Sequence, residues 1–282
     1  HEKFLAAHSL AQHTLAIIDE AHAACATTYL RLIAALPPTA RILGLTATPF
    51  RTAADESLAS VFPACAWGPS VSRLIGQRVL VPPIVHGPKQ PLHATKGGGG
   101  GASSKDGWTK AVQLDMMLQT AVSSWRRHGE GERTVAFCPS VAASKALAEL
   151  FQDAGVAAVH VDAETSDAVR ARAFADLREG GVRVLCNVDV LSEGFDEPRV
   201  GCVMLLRHTE SRRVYVQQVG RGLRNAPGKV RCIVLDEVGA IWRHGPLTGP
   251  IRSDYSWEGV GRDGSEARQL LHRCRCGVLS HR

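Results

Sequence analysis

Short apolar runs recur along this chain, each followed by a stretch with helical spacing, and that alternation commits it to α/β architecture on parallel sheet. Leu15 to Ile18 and Arg41 to Leu45 are strand-like. A helix-like stretch from Thr27 to Leu36 lies between them, ended by Pro37 and Pro38. The second half repeats the pattern in Thr134 to Cys138, Val156 to Val161, Val182 to Asn187, Val200 to Leu206 and Val230 to Asp236. Between these runs, Ala143, Leu147, Leu150, Phe151 and Ala154 fall on one helix face, as do Val169, Ala173 and Leu177. Such a domain is doubly wound and takes its ligand beyond the carboxyl ends of its strands.

The run from Lys96 to Ser104 is glycine and serine with almost nothing apolar to bury, so it reads as a linker. The expected division is a first domain over 1–94, a linker over 95–108, a second domain over 109–243 and a tail over 244–282.

Of the 282 residues 45% are hydrophobic, enough for real cores, yet no apolar run nears the roughly 20 residues of a membrane span. No signal peptide opens the chain. It starts at His1 and not Met, as a piece of a longer protein would. Cys138, Cys186, Cys202 and Cys232 lie in apolar runs, where a reduced thiol acts as a small hydrophobe; the expected location is the cytoplasm. Net charge is +6, and the stretch from Arg207 to Arg231 carries seven cations against the single acid Glu210. Concentrated positive charge suits a polyanion; a solvated basic helix would look the same.

Four short segments carry residues suited to chemistry. In Ile17-Ile18-Asp19-Glu20-Ala21-His22, two carboxylates follow directly after a strand. One can reach Mg²⁺ and the other can orient or deprotonate a water, the two tasks of phosphoryl transfer. In Gly44 to Arg51, Thr46 and Thr48 put two hydroxyls at the end of the neighbouring strand. In Asn187 to Pro198, Gly194 permits close backbone approach, Asp196 can accept from a ribose and Ser192 can donate to a phosphate. In Gln217 to Arg224, Gln217, Arg221 and Arg224 share a helical face. Two guanidinium groups there suit charge developing on a phosphate. Gly220 and Gly222 each cost a helix roughly 1 kcal/mol against Ala, which makes sense where something packs close.

Asp-Glu-Ala-His, Thr-Ala-Thr-Pro, Ser-Glu-Gly-Phe-Asp-Glu-Pro and Gln-x-x-Gly-Arg-Gly-Leu-Arg resemble, in order, motifs II, III, V and VI of superfamily 2 helicases. Arg133 to Ser140 resembles motif IV, and His208-Thr209-Glu210-Ser211 adds to the match. The closest flavour is the DEAH-box branch of DNA-repair helicases and restriction-enzyme motor subunits. The resemblance implies two tandem RecA-like domains, the first truncated at its N-terminus, with ATP hydrolysed between them and nucleic acid, in this branch DNA, across both. It implies Asp19 as the Mg²⁺ carboxylate and Glu20 as catalytic base, with His22, Thr46 and Thr48 coupling hydrolysis to movement. It implies nucleotide contacts at Gly194 and Asp196, a nucleotide or water contact at Gln217, and arginine fingers at Arg221 and Arg224. Ser140, Ser192 and Thr209 are implied as contacts to the nucleic-acid backbone.

The chain departs from the family in two places. It contains no Gly-x-x-x-x-Gly-Lys-Ser/Thr, the loop that holds the β- and γ-phosphates, and only 18 residues precede Asp19. A truncated motor, a split motor completed by a partner subunit, and a helicase-derived module kept for binding or scaffolding all fit that gap; Glu20, Arg221 and Arg224 speak against the last. In the tail, Cys274 and Cys276 are half of a zinc ligand set, but Cys-x-Cys is not the usual spacing and a second pair is lacking. Free thiols are the expectation there.

Overall fold

The structure, a computed structural model, describes residue 10 and residues 12–48, 58–88, 104–191, 195–248, 272–273 and 278–280. These residues fall into two compact units, one up to Ser70 and one from Val71.

In the first unit, strand β1 (Leu15–Asp19) lies parallel to β2 (Arg41–Leu45), with Leu15 opposite Arg41 and Asp19 opposite Leu45. Helix α1 (Thr27–Ala34) connects them. Side chains alternate across a strand. Ile18 therefore turns inward onto Ala21 and Ala24, with Tyr29, Ile33, Ile42, Val61 and Phe62 around them. On the other face Leu15, Ile17, Leu43 and Leu45 keep about half of their surface exposed, 51, 60, 47 and 49%. Gly44 is required by packing, because a Cβ there would lie 2.5 Å from the Phe62 ring and 2.8 Å from Ala21.

The second unit adds, in chain order, α2 (Val71–Gly76), β3 (Pro83–His86), α3 (Ser104–His128), β4 (Arg133–Phe137), α4 (Val141–Asp153), β5 (Ala158–Val161) and α5 (Asp167–Glu179). It continues with β6 (Val184–Asn187), β7 (Val200–Leu205), α6 (Arg212–Leu223), β8 (Cys232–Asp236), α7 (Ala240–His244), β9 (His272–Arg273) and β10 (Val278–Ser280). The sheet order is β5-β6-β4-β7-β8-β3-β10-β9, parallel throughout except for the last two strands. Successive strand residues feed two cores. Val135 and Phe137 join Leu185, Val203, Leu205 and Val234 under α5 and α6; Ala136 joins Val184, Cys186, Met204 and Leu235 under α3 and α4. Helices on both faces explain why β6, β7 and β8 are buried along their whole length and read as continuous apolar runs. Serines begin three of the helices: Ser140, Ser166 and Ser211 accept the N–H of Ala143, Val169 and Val214.

The α/β architecture, with a largely parallel sheet, matches the expectation. Three features depart from the expected organisation. Residues 71–88, assigned to the first domain, belong with the second: β3 runs parallel to β8, Pro83 opposite Cys232 and His86 opposite Leu235. The expected linker 95–108 ends early, since Ser104 already opens the 25-residue helix α3. The tail, expected outside the second domain, returns β10 to pair with β3.

Candidate active site

Asp19 sits at the carboxyl end of β1, where its Oδ1 accepts the Glu20 N–H at 2.9 Å. Glu20 is in the left-handed region (φ 49°, ψ 47°), a conformation that a side chain with a Cβ rarely adopts. The turn brings Glu20 Oε2 to 3.1 Å from His22 Nδ1, a close contact without hydrogen-bond alignment. The same His22 nitrogen lies 3.3 Å from Thr46 Oγ1, just past the end of β2. Thr46 Oγ1 in turn accepts the Thr48 N–H at 3.1 Å, and Thr48 is fully buried. Parallel pairing of β1 with β2 thus assembles Glu20, His22, Thr46 and Thr48 into one chain of contacts. Asp19, exposed at the strand end, fits the donor chemistry of Mg²⁺, a hard cation usually held by one or two carboxylates together with water and phosphate oxygens.

The second cluster lies within the larger unit. Phe195 is anchored by its ring, which is buried and meets Phe174 edge-on with centroids 5.0 Å apart. Its carbonyl faces the other way and accepts from Arg221 at 2.6 Å and Arg224 at 3.2 Å. Arg224 also donates to the Asp196 carboxylate at 2.5 Å. The next residue, Glu197, is almost wholly buried between Arg178 and Arg199, which donate at 3.0 and 2.9 Å. Burial pushes its pKa up, but the bonds from Arg199 and Arg178 outweigh that and hold it below the usual range. The expected face of Gln217, Arg221 and Arg224 is only partly realised. Helix α6 stops at Leu223, and Arg224 leaves it with extended backbone (φ −60°, ψ 137°) to bridge Leu80. Gln217 accepts from Arg213 at 3.4 Å. The two glycines differ. A Cβ on Gly222 would meet Cys232 Sγ at 2.3 Å and Val203 at 2.7 Å, whereas Gly220 has nothing within 4 Å.

Several expected contacts have local tasks. Ser140 caps α4. Thr209 accepts the Ser211 N–H at 3.1 Å and its carbonyl lies 2.9 Å from His244 Nε2. Ser192, Gly194, Cys274 and Cys276 lie outside the described residues. Among the described residues no group of three or more His, Cys, Asp or Glu is placed to hold a metal. The basic stretch is not one continuous track either. Arg212 is buried and donates to the His244 carbonyl, Arg207 pairs with Asp189, and Lys229 turns inward onto carbonyls.

Composition and motif spacing gave no hint of a further chain at the carboxyl end of β5. His160 Nδ1 lies 2.7 Å from Ser144 Oγ, and its Nε2 lies 3.1 Å from Asp162 Oδ2. The bonds from His160 and then Thr165 hold Asp162 at a pKa of about 2, against burial. Ser144 is fully buried, so this chain braces β5 against α4 and offers no nucleophile. Local pattern alone could not have found it, because Ser144 comes from α4 and meets His160 of β5 only through packing.

The family described as the helicase conserved C-terminal domain matches residues 113–226, and the type III restriction enzyme res subunit family matches residues 2–51. A 51.5 kDa protein of a Lactococcus phage (isolate 7-9) is 33% identical over 272 residues, 94% of this chain and 58% of that protein. The candidate mitochondrial ATP-dependent helicase irc3 of Schizosaccharomyces pombe is 29% identical over 228 residues, 79% of this chain and 38% of that protein. The chain thus spans about half the length of these curated relatives. Among solved structures, a fragment of a candidate HsdR subunit of a type I restriction enzyme from Vibrio vulnificus YJ016 has a TM-score of 0.68. That match covers 89% of this chain and 49% of the other at 18% identity, a likeness of fold. Motif order, fold and both family matches agree: the chain belongs to the superfamily 2 helicases, in the branch of restriction-enzyme motor subunits and DNA-repair helicases.

Proposed function

We propose that this chain is part of an ATP-driven motor that moves on nucleic acid, with DNA as its track. The observation that carries the proposal is the contact chain from Glu20 through His22 to Thr46, which joins a base for water to the end of the neighbouring strand. A change at Glu20 reaches Thr46 through a single imidazole, so hydrolysis and movement share a hinge.

In this reading Glu20 accepts the proton of the attacking water, and Asp19 is the residue that would hold Mg²⁺. The ion, bound with ATP, neutralises phosphate charge. Arg221 and Arg224 stabilise charge that develops on the transferred phosphoryl group. Gly194, Ser192, Ser140, Thr209 and Gln217 keep their proposed contacts to nucleotide or nucleic-acid backbone. The engaged cations of the basic stretch favour contacts to phosphate at a few points over a broad electrostatic track, so little sequence preference is expected. No helix among the described residues is long and apolar enough to cross a membrane, and a cytoplasmic setting is part of the same proposal.

Phosphoryl transfer also needs a loop for the β- and γ-phosphates, and the sequence contains no Gly-x-x-x-x-Gly-Lys-Ser/Thr. The test is ATP hydrolysis by the chain alone and joined in cis to such a loop, with and without single-stranded DNA. The expected result is no turnover alone, DNA-stimulated turnover when joined, and loss of that turnover in Glu20→Gln. An inactive joined protein, or an active Glu20→Gln variant, overturns the reading.

A further inference from the structure

Lys229 is one of the seven cations between Arg207 and Arg231. Its ammonium is partly buried and donates to three backbone carbonyls: Pro198 at 2.8 Å, Gly222 at 2.7 Å and Arg224 at 2.8 Å. An ammonium has three N–H donors, and here each meets an oxygen. Two of those oxygens belong to the end of α6 and the residue after it, where carbonyls lack partners within the helix and the helix dipole favours a cation. The third belongs to the loop that presents Phe195 and Asp196.

That loop is held on all sides. The Phe195 ring is buried, the Glu197 carboxylate is clasped by Arg178 and Arg199, and the Pro198 carbonyl is taken by Lys229. The arginine side chains close the circuit, Arg221 and Arg224 on the Phe195 carbonyl and Arg224 on Asp196. Arg224 is thus fixed at both ends, its guanidinium by the loop and its carbonyl by Lys229.

We propose that Lys229 is a positioning residue for hydrolysis: it staples the Phe195–Pro198 loop to the end of the helix that carries Arg221 and Arg224. The inference rests on the role given to the arginine pair above. Burial lowers the pKa of Lys229, as it does for a cation drawn out of water. Three converging carbonyls suit a compact ammonium and not a planar guanidinium, so arginine is a poor replacement.

The test compares wild type, Lys229→Met, Lys229→Arg, Arg224→Ala and the Lys229→Met/Arg224→Ala double variant, each in the chain joined in cis to a phosphate-binding loop. Misplacing a catalytic group by an ångström costs on the order of 100-fold in rate, so kcat of Lys229→Met should fall by about that factor. Its KM for ATP and its affinity for single-stranded DNA should change little, Lys229→Arg should not restore kcat, and Lys229→Met should slow the Arg224→Ala variant by clearly less than it slows the wild type. Amide exchange should rise in residues 195–200 and 221–226 and stay unchanged in β4 and β6. Multiplying losses, a parallel loss of DNA affinity, or exchange raised across the whole sheet would show a merely structural lysine and overturn the inference. Unchanged kcat in an active protein overturns it alone, whereas a wild type that hydrolyses no ATP overturns the functional reading on which it rests.

Discussion

Arg224 donates to the Asp196 carboxylate at 2.5 Å, so two residues given separate tasks by the family resemblance are partners here. An arginine bound to this acid reaches a phosphate only by sharing or leaving it. Both side chains are substantially exposed, and such pairs contribute about 0–1 kcal/mol to stability. Asp196→Ala should therefore leave the urea midpoint almost unmoved while lowering kcat, and adding Arg224→Ala should lower it little further. Fully multiplying losses in the double variant would show that the two residues act separately.

Arg221 has the shorter bond to the Phe195 carbonyl, 2.6 Å. Removing a donor aimed at transition-state charge typically costs about 10²–10³-fold in kcat. Arg221→Ala should show a loss of that order in steady-state hydrolysis, with DNA affinity nearly intact in a fluorescence titration. Equal losses in both would place Arg221 on the nucleic acid instead.

Glu20 contacts His22 at 3.1 Å, and glutamine keeps the shape of its side chain without the basic oxygen. Glu20→Gln should abolish turnover while still binding a fluorescent ATP analogue. Turnover that survives would remove Glu20 as the base.

Gly220 and Gly222 should respond to alanine with opposite signs. A Cβ at Gly222 collides with Cys232 and Val203 in the adjoining strands, and overpacking of this kind costs about 1–3 kcal/mol. At Gly220 the space is open, so alanine should stabilise the helix by up to about 1 kcal/mol. Urea unfolding of the 282-residue chain decides, and destabilisation by both substitutions would contradict the packing described.

His244 stacks on Tyr215 with centroids 5.2 Å apart and is held neutral, its pKa lowered to about 4, chiefly by burial. The unfolded chain binds that proton near pH 6.5, ahead of the folded one, so stability falls as the pH drops from 6.5 through 4. The slope for one such proton is at most about 1.4 kcal/mol per pH unit. Chemical denaturation at a series of pH values should show this slope in wild type and a shallower one in His244→Gln. Identical slopes would remove His244 as its source.

Strands and helices of the larger unit were legible because each core-facing run is local: Val200 to Leu206 announces a buried strand, and helical spacing from Ala143 to Ala154 announces its neighbour. The motifs were legible for the same reason, as contiguous segments at strand ends. Pro83–His86 was not, since its partner lies some 150 residues away at Cys232–Asp236 and nothing local encodes that pairing. Charge was misleading in a similar way. Arg212 and Lys229 look like surface cations in a list of residues, yet both are spent on backbone carbonyls inside the unit. Which carbonyls they meet is settled only when the helix and the loop are brought together.

The parallel pairing of β3 with β8 also changes what a break in the backbone would do. The Gly97 to Gly101 run connects β3 to α3, and both of those belong to the same unit. A protease acting in that run would not part the two units. It would leave β3 seated beside β8 as a noncovalent strand, still tethered to the first unit, so the nicked protein should migrate as one species until denaturant releases the ladder.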